Sequence, residues 1–134
     1  NFTKMYSDSK TLINKLKSNI PNIKSPVRYL SGGQRQAVAI SKVVFWGKQI
    51  VILDEPTAAL GVREAENVLQ LIKSLKEHGL SVIIISHNLQ HVFRIVDRIM
   101  VLRLGKIAGI VNAHETDADN IVGMITGAKF VEKV

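Results

Sequence analysis

Cysteine is missing from all 134 residues, so no disulfide framework can substitute for a hydrophobic core; that usage is compatible with a reducing compartment. Long apolar runs are missing as well, and none approaches the roughly 18–20 residues that a membrane-spanning helix needs. The first residues, Asn1-Phe2-Thr3-Lys4, do not read as a signal peptide, and Asn in place of an initiating Met points to a processed, cut or incomplete chain. There is no low-complexity tract. Nor is there a G-x-x-x-x-G-K-[ST] run: Gly47-Lys48 is followed by Gln49, and Gly105-Lys106 by Ile107. A phosphate-cradling loop of that kind is therefore absent from this stretch.

What remains has the composition of an ordinary globular domain, 46% apolar and 22% charged, and enough length for one domain with a real core. The net charge of +7 invites a nucleic-acid reading, but its distribution argues otherwise. Residues 1–30 hold six Lys/Arg and one Asp, a net of +5, leaving +2 for the other 104 positions. Those cations are spaced around a helix and not interleaved with aromatics, as a solvated basic face would be. No nucleic-acid partner is expected.

Apolar residues from Phe2 to Leu16 recur at helical spacing, predicting an amphipathic helix over 2–17. Pro21 and Pro26 then mark a linker up to Leu30, followed by a helix from about Gln34 to Phe45. "QIVIL" at 49–53 reads as a strand buried on both faces and runs into Asp54-Glu55-Pro56. A helix over 62–78 is expected next, with Ala65, Val68, Leu69, Ile72 and Leu75 on one side and Gly79 as its stop. "SVIII" at 81–85 reads as a second buried strand ending in Ser86-His87. Strand, helix and strand in this order form a βαβ unit with parallel pairing. A helix near 89–96, strands at 98–104 and 107–111 joined at Gly105-Lys106, and a last helix capped by Thr116 and ending by Gly127 complete the pattern. The fold class is α/β with a parallel sheet. Ligands of such sheets bind beyond the carboxyl ends of the strands, where both Asp54-Glu55 and Ser86-His87 fall.

Three groups of residues carry chemistry. In "YLSGGQRQ" at 29–36, Ser31 and Gln34 have the spacing of a capping box, which leaves Gly32 and Gly33 unexplained. Two bare glycines at a helix start expose backbone N–H groups to an approaching anion, and the helix dipole favours it; a flexible cap and a phosphate site both fit. Asp54 and Glu55 could be solvated loop carboxylates. Directly after four aliphatic residues, however, they sit beside a low-dielectric core where burial is costly without a metal or donor. An Asp in this place can hold Mg²⁺ while a neighbouring group positions water. His87 could be a satisfied core histidine or a ligand contact at the same strand ends. His87 and His91 share the spacing of a zinc helix, but Asn88 stands where that motif has its glutamate, so zinc is rejected. His78 and His114 read as surface residues.

"LSGGQRQ" (30–36), "VILDEP" (51–56) and "SH" (86–87), in this order and spacing, resemble the nucleotide-binding domain of ATP-binding cassette (ABC) proteins over essentially the whole chain. The resemblance implies a P-loop NTPase-like parallel sheet flanked by helices, incomplete because its Walker A half is absent. Residues 1–28 would be the end of the helical subdomain and 29–134 the carboxyl-terminal part of the catalytic core. It implies that Ser31, Gly32, Gly33 and Gln34 form the signature motif, contacting the γ-phosphate of an ATP held mainly by a partner subunit in a head-to-tail dimer. Asp54 would be the Walker B residue for Mg²⁺, Glu55 the catalytic glutamate that polarises water, and His87 the switch histidine. The D-loop departs from the family pattern, since Gly61 replaces its usual aspartate in Ala58-Ala59-Leu60-Gly61. "PTAALGVRE" and the terminal "MITGA" look most like the ATPases of bacterial ribose, xylose and fructose importers. Such a subunit would use ATP and Mg²⁺, pair with a second nucleotide-binding domain and with membrane permease subunits, depend indirectly on a substrate-binding protein, and lie peripherally on the cytoplasmic face of the membrane. The competing readings are a non-transport ABC ATPase of DNA repair or translation, and a non-catalytic interaction module.

Overall fold

The computed structural model describes residues 1–16, 20–47 and 49–129. The chain divides into two compact units, Asn1–His87 and Asn88–Val134.

In the first unit, helix α1 (Phe2–Lys15) opens on Asn1, whose side chain accepts the N–H groups of Thr3 and Lys4. The expected helix ran to residue 17, which lies outside the described residues. A short 3₁₀ turn at Val27–Tyr29 follows the two prolines. Helix α2 spans Gly32–Phe45 and starts two residues before the expected Gln34, so both glycines belong to its first turn. Strand β1 (Ile50–Asp54), helix α3 (Val62–Glu77) and strand β2 (Ser81–Ile85) realise the βαβ unit. The strands pair in parallel from Ile50↔Ser81 to Asp54↔Ile85. Helix α3 is the centre of this unit, packing against both α2 and β2. Its expected apolar side, Ala65, Val68, Leu69, Ile72 and Leu75, is buried together with Leu71. Each Val, Leu or Ile among them contributes about 1.5–3 kcal/mol on burial, so packing more than helix propensity holds α3 in place.

The strands differ from expectation. On β1 only Val51 and Leu53 are buried, while Ile50 and Ile52 are 60% and 66% exposed. Ile83 and Ile85 of β2 are each 52% exposed. A wholly apolar strand signals burial on both faces, yet here only the face carrying Val51 and Leu53 is covered; the other meets solvent.

In the second unit, helix α4 (Leu89–Ile95) is capped by Asn88, whose side chain accepts the His91 N–H. Strands β3 (Arg98–Arg103) and β4 (Lys106–Asn112) form an antiparallel hairpin with a register shift at Val101/Leu102. The hairpin turns at Leu104-Gly105, not at the expected Gly105-Lys106. Both residues have positive φ, +49° and +73°, as a two-residue turn matched to strand twist requires. A 3₁₀ turn at Ala113–Glu115 leads into helix α5 (Ala118–Thr126). Its cap is Asp117, which accepts the Asn120 N–H at 2.8 Å, and not Thr116. The helix ends at Gly127 in the left-handed conformation, φ +84°. Ile99 and Val101 from β3 and Ile121 and Met124 from α5 form the core.

Candidate functional site

The carboxyl ends of β1 and β2 lie side by side, and the chain leaves β1 through a strained residue. Glu55 has φ +44°, a conformation that costs an L-residue about 1–2 kcal/mol and that concentrates at functional sites. Its N–H donates to the Ile85 carbonyl at 2.9 Å, extending the ladder one step past β1. Its carboxylate meets the end of β2. Glu55 Oε1 accepts the His87 backbone N–H at 3.1 Å and lies 2.7 Å from His87 Nδ1. Glu55 Oε2 lies 3.5 Å from the Ser86 hydroxyl. The His87 ring is the largest influence and holds the Glu55 carboxyl below the ordinary carboxylate range, against the opposing effect of partial desolvation.

Asp54, Glu55 and His87 are thus brought to one place, as expected, but in a wetter setting than expected. Asp54 is exposed, and the Glu55 side chain keeps 33% of its surface. The open sheet face beside them explains this. The His87 side chain is 84% exposed, which removes the core-histidine reading. Ser86, a strand end in the sequence, lies beside Glu55; its polar side chain next to His87 is the sequence signal for that place. His91 lies at the start of α4, and His114 is an exposed residue as expected. His78 departs from expectation, being half-buried at the end of α3 with Nδ1 2.7 Å from the Ser74 carbonyl.

At the start of α2 the capping box is complete. The Ser31 N–H donates to Gln34 Oε1 at 3.0 Å, and the Gln34 N–H donates to Ser31 Oγ at 3.4 Å. The glycines have a packing duty that the sequence did not signal. A Cβ at Gly32 would stand 2.8 Å from Leu60 Cδ2, and one at the buried Gly33 would stand 3.2 Å from Glu64 Cβ. Glycine lets two backbones approach closely, and here the first turns of α2 and α3 do so. Gly32 and Gly33 occupy the first two helical positions, whose N–H groups have no intrahelical acceptor.

A divalent cation would find one hard oxygen ligand in Asp54. Among the described residues no three His, Cys, Asp or Glu side chains gather as a metal cage. That donor set suits Mg²⁺, which keeps several waters and takes one or two carboxylates together with substrate phosphates. Among the described residues no helix is long and apolar enough to cross a membrane.

The profile of a family described as "ABC transporter" matches residues 4–58. The chain is 46% identical over 110 residues to the fructose import ATP-binding protein FrcA of Rhizobium meliloti, covering 82% of this chain and 42% of that protein. It is 44% identical over 126 residues to the xylose/arabinose import ATP-binding protein XylG of Sulfolobus acidocaldarius, covering 94% and 50%. Among solved structures it resembles cbiO1 of Clostridium perfringens, part of an ABC transporter complex, with TM-score 0.75 at 27% identity over 91% of this chain and 49% of that one. It also resembles a dimeric bacterial ABC transporter cassette, with TM-score 0.64 at 27% identity over 78% and 45%. This chain belongs to the ABC transporter family. It spans about half the length of the relatives just named, and its α/β fold with a parallel βαβ unit is that of ABC ATPase cassettes. The strand-end cluster around Glu55 and the glycine turn of α2 both lie in the first unit.

Proposed function

We propose that this chain is part of the ATP-hydrolysing subunit of an ABC importer for a monosaccharide. Residues 1–28 end its helical subdomain, and residues 29–134 supply the carboxyl-terminal part of its catalytic core. One observation carries the reading. A strained Glu55 at the carboxyl end of a parallel strand directs its carboxylate at His87, just past the end of the neighbouring strand, where ligands of such sheets bind. The sugar specificity is supported by the fructose and xylose/arabinose importers that the chain resembles.

Each residue has a role that its position suits. Asp54 would hold Mg²⁺, which when bound neutralises phosphate charge. Glu55, ionised at neutral pH, is the base that orients and polarises water. His87 must exchange its Glu55 contact for one with the γ-phosphate, and its exposed ring is free to do so. Ser31, Gly32, Gly33 and Gln34 form the helix start turned to the ATP of a partner subunit; there Ser31 and Gln34 cap each other, and the Gly32 and Gly33 N–H groups have no intrahelical acceptor. The complete subunit pairs with a second nucleotide-binding domain and with membrane permease subunits, serves a substrate-binding protein indirectly, and works from the cytoplasmic face of the membrane. These 134 residues contain no phosphate-cradling loop with its lysine, so by themselves they turn over no ATP.

The test is Glu55→Gln in the complete subunit. ATP binding is retained and turnover falls about 10²- to 10⁴-fold, the usual contribution of a positioned base. Turnover near the parent's would place water activation elsewhere and remove the reading.

A further inference from the structure

The second unit carries a cleft of about 560 Å³ between its hairpin and α5, a size common among small-ligand sites. It shares no residue with the strand-end cluster or the glycine turn. Its apolar lining is Ile110, Val111 and Met124, with no aromatic ring. Cations reach it from two directions. Arg98 opens β3 opposite Asn112, the last residue of β4, and cross-strand partners share one face of a hairpin. Arg98 is exposed, and among the described residues no carboxylate pairs with its guanidinium. Lys129 arrives from beyond α5 by a fixed path. Gly127 stops the helix in the left-handed conformation, and the Lys129 N–H donates to the Gly123 carbonyl at 3.0 Å. The lysine stem then crosses the buried Gly123, where a Cβ would stand 3.0 Å from Lys129 Cγ and Cδ. Its Nζ donates to Asn120 Oδ1. A side chain at position 123 would crowd this lane; glycine leaves it open, and the ammonium is held at the cleft.

The hydrogen-bonding groups of the lining define the ligand. Guanidinium and ammonium only donate, and Asn120, its carbonyl taken by Lys129, keeps two amide N–H donors. The Thr116 hydroxyl has no partner among the described residues. Against these stands one carboxylate, Glu115. Its Oε2 accepts Asn112 Nδ2 at 2.7 Å, and its Oε1 lies 3.5 Å from His114 Nε2. Two cationic side chains and one anionic one leave the lining positive. A phosphate monoester suits such a place, since a guanidinium can take two of its oxygens at once and an ammonium a third. Beyond the phosphate the lining offers amides, a hydroxyl and a carboxylate, which match hydroxyl groups that both donate and accept. A nucleobase would find no ring to stack on. We propose that this cleft binds a sugar phosphate, with the phosphate between Arg98 and Lys129 and the hydroxyls at Asn112, Glu115, Thr116 and Asn120.

The test is calorimetric titration and amide NMR of this chain with four probes: ribose 5-phosphate, ribose, inorganic phosphate and AMP. Ribose 5-phosphate is expected to bind at least about tenfold more tightly than ribose or inorganic phosphate, each of which lacks one set of hydrogen bonds. It should move the amide signals of Asn112, Thr116 and Asn120. AMP, the same ribose phosphate with a base added, should bind no more tightly. Arg98→Gln and Lys129→Gln should each weaken ribose 5-phosphate about tenfold, the loss of one charge-assisted hydrogen bond. Arg98→Lys should recover part of that loss, because it keeps the charge without the planar fork. Both side chains are exposed, so melting temperatures should hold. Equal affinity for inorganic phosphate and ribose 5-phosphate would mean an adventitious ion only and overturn the assignment. Tighter binding of AMP would make this a nucleotide cleft and overturn it too. So would shifts confined to Gly32 and Gly33, which would put the phosphate on α2, affinities unmoved by both charge removals, or no heat and no shift at millimolar ribose 5-phosphate.

Discussion

At Glu55 a strained backbone and a carboxylate contact with His87 occur in the same residue. The positive φ turns the side chain out of β1 and toward β2, where the His87 ring and backbone N–H receive it. The folded carboxyl titrates below its ordinary range, so the contact contributes stability that is fully present above the unfolded-state value. That contribution is lost as pH falls through the lower, folded value. An NMR titration of the Glu55 side-chain carboxyl in this chain should show the depressed midpoint, and His87→Ala should raise it toward the ordinary carboxylate range. An unchanged midpoint would mean that His87 is not what holds the carboxyl. The sequence made Asp54, Glu55 and His87 legible because polar residues ending two apolar strands must meet at one edge of a parallel sheet. It did not disclose the strain at Glu55, since a Glu carries no mark of positive φ as a glycine would. Nor did it disclose why two glycines open α2: their partners, Leu60 and Glu64, are neighbours only after α2 and α3 pack.

At the scale of elements, helices with a buried stripe were the most legible. Every apolar position expected on the inner side of α3 is buried, and Gly79 follows its end at φ +78°. Ends were less legible, because caps depend on which of two adjacent polar side chains reaches back. Asp117, not Thr116, caps α5, and Leu104 enters a left-handed turn where the sequence favoured the residues after it. The start of α3 is the weakest of these ends. Gly61 is its N-cap and supplies no side-chain hydrogen bond, although its backbone is extended (φ −65°, ψ 159°) and nothing lies within 4 Å of a Cβ placed there. Gly61→Asp should therefore stabilise this chain. Over glycine a side-chain cap contributes only about a few tenths of a kcal/mol, and the acidic group facing the positive end of the helix dipole adds about 0.3–1 kcal/mol. Thermal melts of the two proteins should show a rise of a few degrees. A fall in melting temperature would mean that the loop before α3 needs the conformational freedom of glycine.

At the scale of the whole molecule the sequence is least informative, since an apolar strand does not disclose what covers it. β1 and β2 read as doubly buried, and the structure leaves one face of their sheet open with Ile50, Ile52, Ile83 and Ile85 upon it. Ile52 and Ile83 are register partners, so their side chains stand together at the middle of that face. Among the described residues the sheet has only these two strands, and each keeps an unpaired edge. Apolar side chains next to free backbone donors and acceptors favour pairing with another chain. The 134-residue chain should accordingly self-associate as its concentration rises, which sedimentation equilibrium would read as a growing average mass. Ile52→Thr combined with Ile83→Thr is the decisive variant. Threonine keeps the branched shape that strands favour, and the replaced side chains already face solvent, so stability should change by no more than about 0.5 kcal/mol per site. Association should weaken markedly while the melting temperature holds. If the double variant instead loses several kcal/mol of stability, those isoleucines are covered within the chain in solution. If the parent stays monomeric at every concentration, the open face is not an adhesive one.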